Sequence, residues 1–257
     1  MSAAEPLLAK APLVCGQSGR GSNFAHGYRQ PGEPGGGGHG GDADRSVMSR
    51  ALAAVRREVE RCPSRPDLVL VHGLAGGTGG GLGCRLLEEL RSAYGELFIA
   101  SVAVAPRAPG GDTSLLAPLG TVLCVQFLVR YADAVLLFSN GELVAALERQ
   151  QRQAGVSPPR VTLADINCVV GLSLASALLP TDGEGAQPAV RDIVAHVCPQ
   201  PALPFAEVHV AVAAHSAFET DTQAWSSVAS NLAASALRFD ALDGAALLFG
   251  FVHLCVF

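Results

Sequence analysis

Leu68-Val69-Leu70-Val71-His72-Gly73-Leu74-Ala75-Gly76-Gly77-Thr78-Gly79-Gly80-Gly81-Leu82-Gly83, running on into Cys84-Arg85-Leu86-Leu87-Glu88-Glu89-Leu90, is the stretch that decides how this chain folds. Leu68 to Val71 is a short, wholly apolar run, as expected of a strand in a parallel sheet covered on both faces. Leu86, Leu87 and Leu90 then recur at helical spacing. Between them stands a turn made almost entirely of glycine. Strand, glycine turn and helix in that order form an anion site, because residues without side chains let backbone N–H groups approach a phosphate and the helix start adds partial positive charge. Thr78 offers a hydroxyl donor. A merely tight turn is the plain alternative, and the spacing fits neither Gly-x-x-x-x-Gly-Lys-Ser/Thr nor Gly-x-Gly-x-x-Gly. The glycine density, the threonine and the place between strand and helix favour phosphate.

Outward from this stretch, strands and helices alternate. Val47, Leu52, Val55 and Val59 recur at helical spacing, so Ser46 to Arg61 reads as an amphipathic helix, ended by Pro63 and Pro66. Phe98 to Val104 is a second buried strand, and a polar turn with Gly110, Gly111, Asp112 and Thr113 follows. Leu119 to Tyr131 reads as a helix, Ala134 to Phe138 as a third strand, and Asn140 opens a helix reaching about Gln153. Asp165 to Leu179 is a helix too uniformly apolar for a surface position. Phe205 to Ala213 is another strand, and Ala245 to Phe257 reads as a buried strand. The first 45 residues are loop-like, with seven glycines between Gly32 and Gly41. This alternation predicts an α/β fold with a doubly wound parallel sheet. The expected divisions are a partial nucleotide-binding domain at 1–163, a central core helix at 164–182 and part of a second α/β domain at 183–257.

Composition narrows the chemistry. Of the 257 residues, 49% are apolar and 16% charged, which predicts a sizeable core rather than disorder. A net charge of -5 argues against nucleic acid as the main partner. Ala245 to Phe257 is too short for a membrane span, which needs about 20 residues, so no membrane partner is expected. No secretory leader is read at Met1 to Lys10. Lys10 is the only lysine, so a P-loop lysine, a kinase strand lysine or a Schiff-base lysine would have to be that residue, in a poor context for each. The seven cysteines are scattered with no Cys-x-x-Cys pair, which argues against a zinc site and for a reduced, cytosolic setting. His72, at the end of a strand, reads as a packed histidine rather than a phosphate ligand. His209 and His215 lack a carboxylate at metal spacing, and Trp225 reads as a packing residue.

Ala75-Gly76-Gly77-Thr78-Gly79-Gly80-Gly81 resembles the tubulin signature Gly-Gly-Gly-Thr-Gly-Ser-Gly. Gly16-Gln17-Ser18-Gly19-Arg20-Gly21-Ser22-Asn23-Phe24-Ala25-His26-Gly27-Tyr28 resembles the tubulin loop that faces the terminal phosphate. Cys198-Pro199-Gln200-Pro201 resembles the Val-Pro-aromatic-Pro turn leading into the tubulin second domain. The helix at 46–61 lies between the first two motifs, as in tubulins. On these motifs the chain is identified as a member of the tubulin family. Within it, Val190 to Pro201, Arg130 to Leu137 and Asp165-Ile166-Asn167 look most like the delta type, with another divergent tubulin as the alternative. A nucleotide-dependent enzyme on the same doubly wound fold and a fragment without function are the rival classes.

The resemblance implies GTP and GDP as ligands, with Mg2+ bridging the phosphates. It implies contacts from Gly21 and Ser22 beside the terminal phosphate, although tubulins usually carry Asn at the place of Ser22. Gly76, Gly77, Thr78 and Gly79 match the main phosphate loop, and Asp112 and Thr113 match the loop near the ribose. Asn140 and Asn167 match the two asparagines that read guanine, whose edge an amide can pair with as donor and acceptor. Asp192 matches the acidic residue that reaches a neighbouring subunit's nucleotide and orients water there. A solvated helix carboxylate is its plain alternative. The departures are Ala117 where a ribose-binding carboxylate is usual and Leu163 where an aromatic stacks on guanine. The family's opening strand and first diphosphate loop, and its late helices, have no counterpart in the chain, which reads as the middle half of a tubulin and is expected to bind nucleotide weakly alone. The implied partners are other tubulin subunits and microtubule or centriole components. The implied location is cytoplasm, cytoskeleton and centriole or basal body, with the nucleus left open.

Overall fold

A computed structural model of the chain describes residues 12–16, 19–29, 47–106, 116–178, 191, 194, 204–210, 230 and 252–256. Five strands form one sheet: β1 Leu68–Gly73, β2 Ile99–Ala105, β3 Ala134–Ser139, β4 Phe205–Val210 and β5 Val252–Val256. They lie in the order β1-β2-β3-β4-β5 and every neighbouring pair is parallel. The α/β class with its parallel sheet is therefore as expected. β4, which the sequence places beyond the long apolar helix, lies directly beside β3 in the same sheet. Val135, Leu136 and Leu137 stand opposite Phe205, Ala206 and Glu207. The loop Gly32–Gly41 and residues Asp112, Thr113, Asp192, Cys198, His215 and Trp225 lie outside the described residues.

The helices are α1 Phe24–Tyr28, α2 Val47–Arg61, α3 Gly83–Ala93, α4 Leu116–Tyr131, α5 Asn140–Gln153 and α6 Leu163–Leu178. Alternation along β2 divides the core between two sides of the sheet. Ile99 and Ala103 join Leu87 and Leu90 of α3 and Cys124 and Leu128 of α4 on one side. Val102 joins Leu136, Phe138, Leu143 and Val144 of α5 and Ile166 of α6 on the other. Cover on both faces is why β2 and β3 carry so few polar residues. Ser101 is buried in β2 and its Oγ lies 2.9 Å from His72 Nε2.

At the edge of the sheet where the strands begin, Arg91 ties α3 to the residue before β3. Arg91 Nη2 lies 2.6 Å from Asp133 Oδ2, which also accepts from the Ile99 amide at 2.7 Å, while Arg91 Nε donates to the Tyr131 carbonyl at 2.9 Å. Thr162 and Asp165 cap α6 reciprocally: the Thr162 amide donates to Asp165 Oδ2 at 2.8 Å, and the Asp165 amide donates to Thr162 Oγ1 at 3.3 Å. The Thr162 bonds hold the Asp165 carboxyl below its ordinary range. The expectation that this helix is buried throughout is corrected. Ile166 and Ser173 face the core, but Leu163 and Leu172 are 73% and 66% exposed, because in the described chain α6 packs against its neighbours on one side only.

A short helix absent from the sequence reading completes the fold. The α1 segment has five residues, too few to stand alone, and is held from outside. Phe24, Tyr28, Phe127 and Tyr131 form a ring cluster with centroids 5.1–6.0 Å apart. The Tyr28 and Tyr131 hydroxyls both donate to the Glu88 carboxylate, at 2.5 and 3.1 Å. Burial pushes the Glu88 carboxyl up, but the two tyrosine donors and Arg85 outweigh it and hold the group below its usual value. A Cβ placed on Gly27 would fall on the Gly77 carbonyl oxygen. Replacing Gly27 with Ala is therefore expected to destabilise the protein by more than about 3 kcal/mol, the cost of forcing backbones apart in a packed interior. Urea denaturation of Gly27→Ala against the parent measures it, and a loss below about 1 kcal/mol would show that the contact yields easily.

Candidate functional site

β1 ends at Gly73, and the chain folds back over its own strand end. The Leu74 amide still bonds to the Val104 carbonyl at 3.0 Å. From Gly76 to Leu82 the chain makes one wide helical turn with π-type spacing, which passes without a break into α3 through Leu82. The loop expected here is thus helical. Gly76 opens it at φ +93°, a conformation suited to glycine. The cap position is Ala75, whose side chain makes no capping bond, and the first turn has no acidic residue. The helix start is left with amide donors that no side-chain cap satisfies and with its partial positive charge uncompensated.

The other glycines answer to packing. A Cβ on Gly79 would lie 2.7 Å from the Gly73 carbonyl, and one on Gly80 2.6 Å from the Leu74 carbonyl. A Cβ on Gly77 would lie 2.5 Å from both the Arg20 Cβ and its carbonyl oxygen and 2.8 Å from the Asn23 carbonyl, and one on Gly81 would fall on the Phe24 carbonyl. The turn is therefore clamped between the end of β1 and residues 20–28. Of the four residues expected at the phosphates, Gly77 and Gly79 owe their lack of a side chain to the protein's own backbone. Gly76 faces open space and Thr78 is exposed.

The same clamp brings in the second glycine segment. Gly21 and Ser22 both take positive φ, +58° and +53°. Asn23 caps α1, its Oδ1 accepting from the Ala25 amide at 2.9 Å. Two motifs more than 50 positions apart in sequence thus meet at one turn, since Gly21 and Ser22 lie between Arg20 and Asn23, the two residues that press on Gly77. Arg20 was passed over in the sequence reading. Its spacing carries no signal, and only the folded chain sets its Cβ and carbonyl against the Gly77 position.

His72 underpins the turn. Its Nδ1 lies 3.0 Å from the Gly79 carbonyl and 3.2 Å from the Gly73 carbonyl. Two carbonyl neighbours assign the proton to Nδ1, and the neutral ring then accepts from Ser101 through Nε2. The histidine is a packed strand-end residue, as expected.

Asn140 begins α5 directly after β3, with Ser139 as cap accepting from the Glu142 amide at 3.4 Å. Gly73 pairs with Val104, and Ala105 pairs with Ser139, so Gly76 and Asn140 both follow the carboxyl edge of the sheet. Asn167 lies on the exposed side of α6, four residues after exposed Leu163. Neither asparagine side chain makes a hydrogen bond among the described residues. Asp112, Thr113 and Asp192 lie outside the described residues.

Residues 3–148 match the family model "Tubulin/FtsZ family, GTPase domain". The chain belongs to the tubulin/FtsZ family. It is 29% identical to the tubulin alpha-1 chain of Saccharomyces cerevisiae over 173 residues, covering 66% of this chain and 35% of that one. It is 28% identical to the tubulin beta-1 chain of Mus musculus over 194 residues, covering 75% and 39%. Against the tubulin beta-1 chain of Colletotrichum graminicola it is 30% identical over 142 residues, covering 55% and 29%. The chain thus spans between 29% and 39% of the length of these relatives.

Ser22 holds a left-handed conformation that costs an ordinary L-residue roughly 1–2 kcal/mol and that asparagine tolerates better. Ser22→Asn is expected to raise stability by roughly 0.5–1 kcal/mol, read as a higher midpoint in thermal or urea unfolding. A lower midpoint would mean that the Ser22 hydroxyl holds the loop in a way asparagine cannot replace.

Proposed function

We propose that this chain forms the phosphate-binding part of a guanine-nucleotide site in a tubulin-family subunit that assembles with other tubulin subunits. One observation carries the reading: the Gly19–Asn23 loop is pressed against the start of an uncapped helical turn at the carboxyl edge of a parallel sheet. In open α/β sheets ligands bind outside the carboxyl ends of the strands, and a helix start without a side-chain cap suits an anion. Gly76, Gly77, Thr78 and Gly79 would receive the inner phosphates. Gly21 and Ser22 would receive the terminal one. Asp112 and Thr113 would lie toward the ribose, and Asn140 and Asn167 would read the base as GTP or GDP.

Mg2+ would be held chiefly by phosphate oxygens. Bound there, it would neutralise phosphate charge. The backbone donors of the turn do the rest of the orienting.

The finer assignment is to the delta type, supported by the resemblance of residues 130–137, 165–167 and 190–201. With it come a role in centriole and basal-body assembly, cilium formation, and a cytoskeletal location extending to those bodies and to the nucleus. Another divergent tubulin is the second reading.

Guanine selectivity is the direct test of the site. Competition between GDP and ADP for the complete protein should favour GDP by at least about tenfold, a difference of about 1.4 kcal/mol. Asn167→Leu should narrow that preference, because the donor and acceptor it offers to the base are lost. Equal affinity for the two nucleotides would remove the proposal.

Asp192 is proposed to act in trans, orienting water at the nucleotide of the next subunit. Asp192→Ala should then leave nucleotide affinity nearly unchanged and slow hydrolysis only where subunits assemble. Turnover measured against protein concentration decides it. Equal slowing in dilute monomer, or no slowing in the assembled state, would return Asp192 to an ordinary surface charge.

A further inference from the structure

Two thiols that the nucleotide reading does not use lie side by side beneath the glycine turn. Cys84 is the second residue of α3 and Cys124 stands in the middle of α4. Both are fully buried, and their Sγ atoms are 3.3 Å apart with Cys84 donating to Cys124. Closing a disulfide, at about 2.05 Å, needs an approach of little more than 1 Å. Cys15, Cys62 and Cys168 are exposed.

Burial alone leaves a thiol inert, but this pair has features a buried hydrophobe does not need. The hydrogen bond from the Cys84 thiol lowers the Cys124 thiol, against the opposing effect of burial. The bond to Cys124, then burial, push Cys84 up. Cys124, which accepts the hydrogen bond, is therefore the sulfur that gives up its proton more readily.

We propose that Cys84 and Cys124 form a peroxide-sensitive dithiol, a site of reversible disulfide formation between α3 and α4. The Cys124 thiolate attacks one oxygen of a hydroperoxide. The O–O bond breaks, the departing oxygen takes up a proton, and Cys124 becomes a sulfenic acid. The Cys84 sulfur then attacks the Cys124 sulfur. The S–O bond breaks and hydroxide leaves with the Cys84 proton as water. With hydrogen peroxide the sum is two thiols and one peroxide giving one disulfide and two waters. A small dithiol reductant reverses it. The new bond ties the first turn of α3 to α4 next to Gly83, whose Cβ position would lie 3.3 Å from His72 Nδ1, the ring that holds the Gly79 carbonyl. Oxidation therefore stiffens the base of the glycine turn.

The test treats the folded chain with hydrogen peroxide, blocks free thiols after unfolding, and maps linked peptides by mass spectrometry. The expected result is a Cys84–Cys124 link, with two fewer alkylatable thiols restored by dithiothreitol. In Cys84→Ser, Cys124 should accumulate as a sulfenic acid trapped by a 1,3-diketone probe. In Cys124→Ser, Cys84 should not be trapped. The link measured in the parent protein keeps the proposal falsifiable if either variant fails to fold. Both thiols remaining alkylatable while Cys15, Cys62 and Cys168 oxidise would overturn it. So would a link formed only in urea-unfolded chain, and trapping at Cys84 equal to that at Cys124 would overturn the assignment of the attacking sulfur.

Discussion

The structure depends on one contact that no side chain can enter: the backbone of α1 lying against the backbone of the glycine turn. Gly27, Gly77 and Gly81 meet there, and a Cβ on any of them would strike a main-chain atom of the partner segment. The approach costs strain, since Gly21 and Ser22 are forced to positive φ, and for Ser22 that cost is roughly 1–2 kcal/mol. The attractive side is larger. Four aromatic rings pack across α1 and α4, each pair contributing roughly 0.5–1.5 kcal/mol beyond its burial. Two tyrosine hydroxyls share the Glu88 carboxylate, and a hydrogen bond to a charged group contributes roughly 1.5–3 kcal/mol. The strained loop therefore persists because its neighbours over-determine it.

Much of this fold can be read from sequence, and the parts that cannot have identifiable causes. β1, β2 and β3 are legible because a strand covered on both faces is a continuous apolar run. α2 is legible because Val47, Leu52, Val55 and Val59 keep helical spacing. The α1 helix is illegible: Phe24 to Tyr28 spans barely more than one turn, carries a glycine, and is stabilised by residues about 60 and 100 positions away. The neighbourhood of β4 and β3 is equally hidden, since pairing across more than 60 intervening residues leaves no local trace. The glycine turn is the instructive case. Phosphate approach and backbone packing both demand residues without a Cβ, so sequence alone cannot divide Gly76 from Gly77. The structure divides them, with Gly76 open and Gly77 enclosed.

The same division applies to the polar residues. Asp133 and Asp165 both stand in segments that carry the finer family resemblance, yet each has a local structural duty. Asp133 accepts from the Ile99 amide and from Arg91, and Asp165 exchanges bonds with Thr162. Their presence marks a way of closing the sheet and starting a helix. Asn140 and Asn167 have no such duty among the described residues. A polar side chain with no structural partner beside the carboxyl edge of a parallel sheet is better placed to serve a ligand than one already spent on the backbone.

The order of groups along that edge also matters. Neighbouring strands lie about 4.8 Å apart, so the end of β1 and the end of β3 are separated by roughly 10 Å across β2. The β1 end carries the donor-rich helix start with no acidic residue in its first turn. The β3 end carries Asn140, while Asn167 and Leu163 are exposed on α6. On the proposed reading the first end takes negative charge and the second, through the Asn140 amide, the hydrogen-bonding edge of a base. A compact anion such as free phosphate would use only the first. An elongated ligand with charge at one extremity and a heteroaromatic base at the other uses both, and on the proposed reading that asymmetry, more than the glycine count, is what favours a nucleotide over a simple anion.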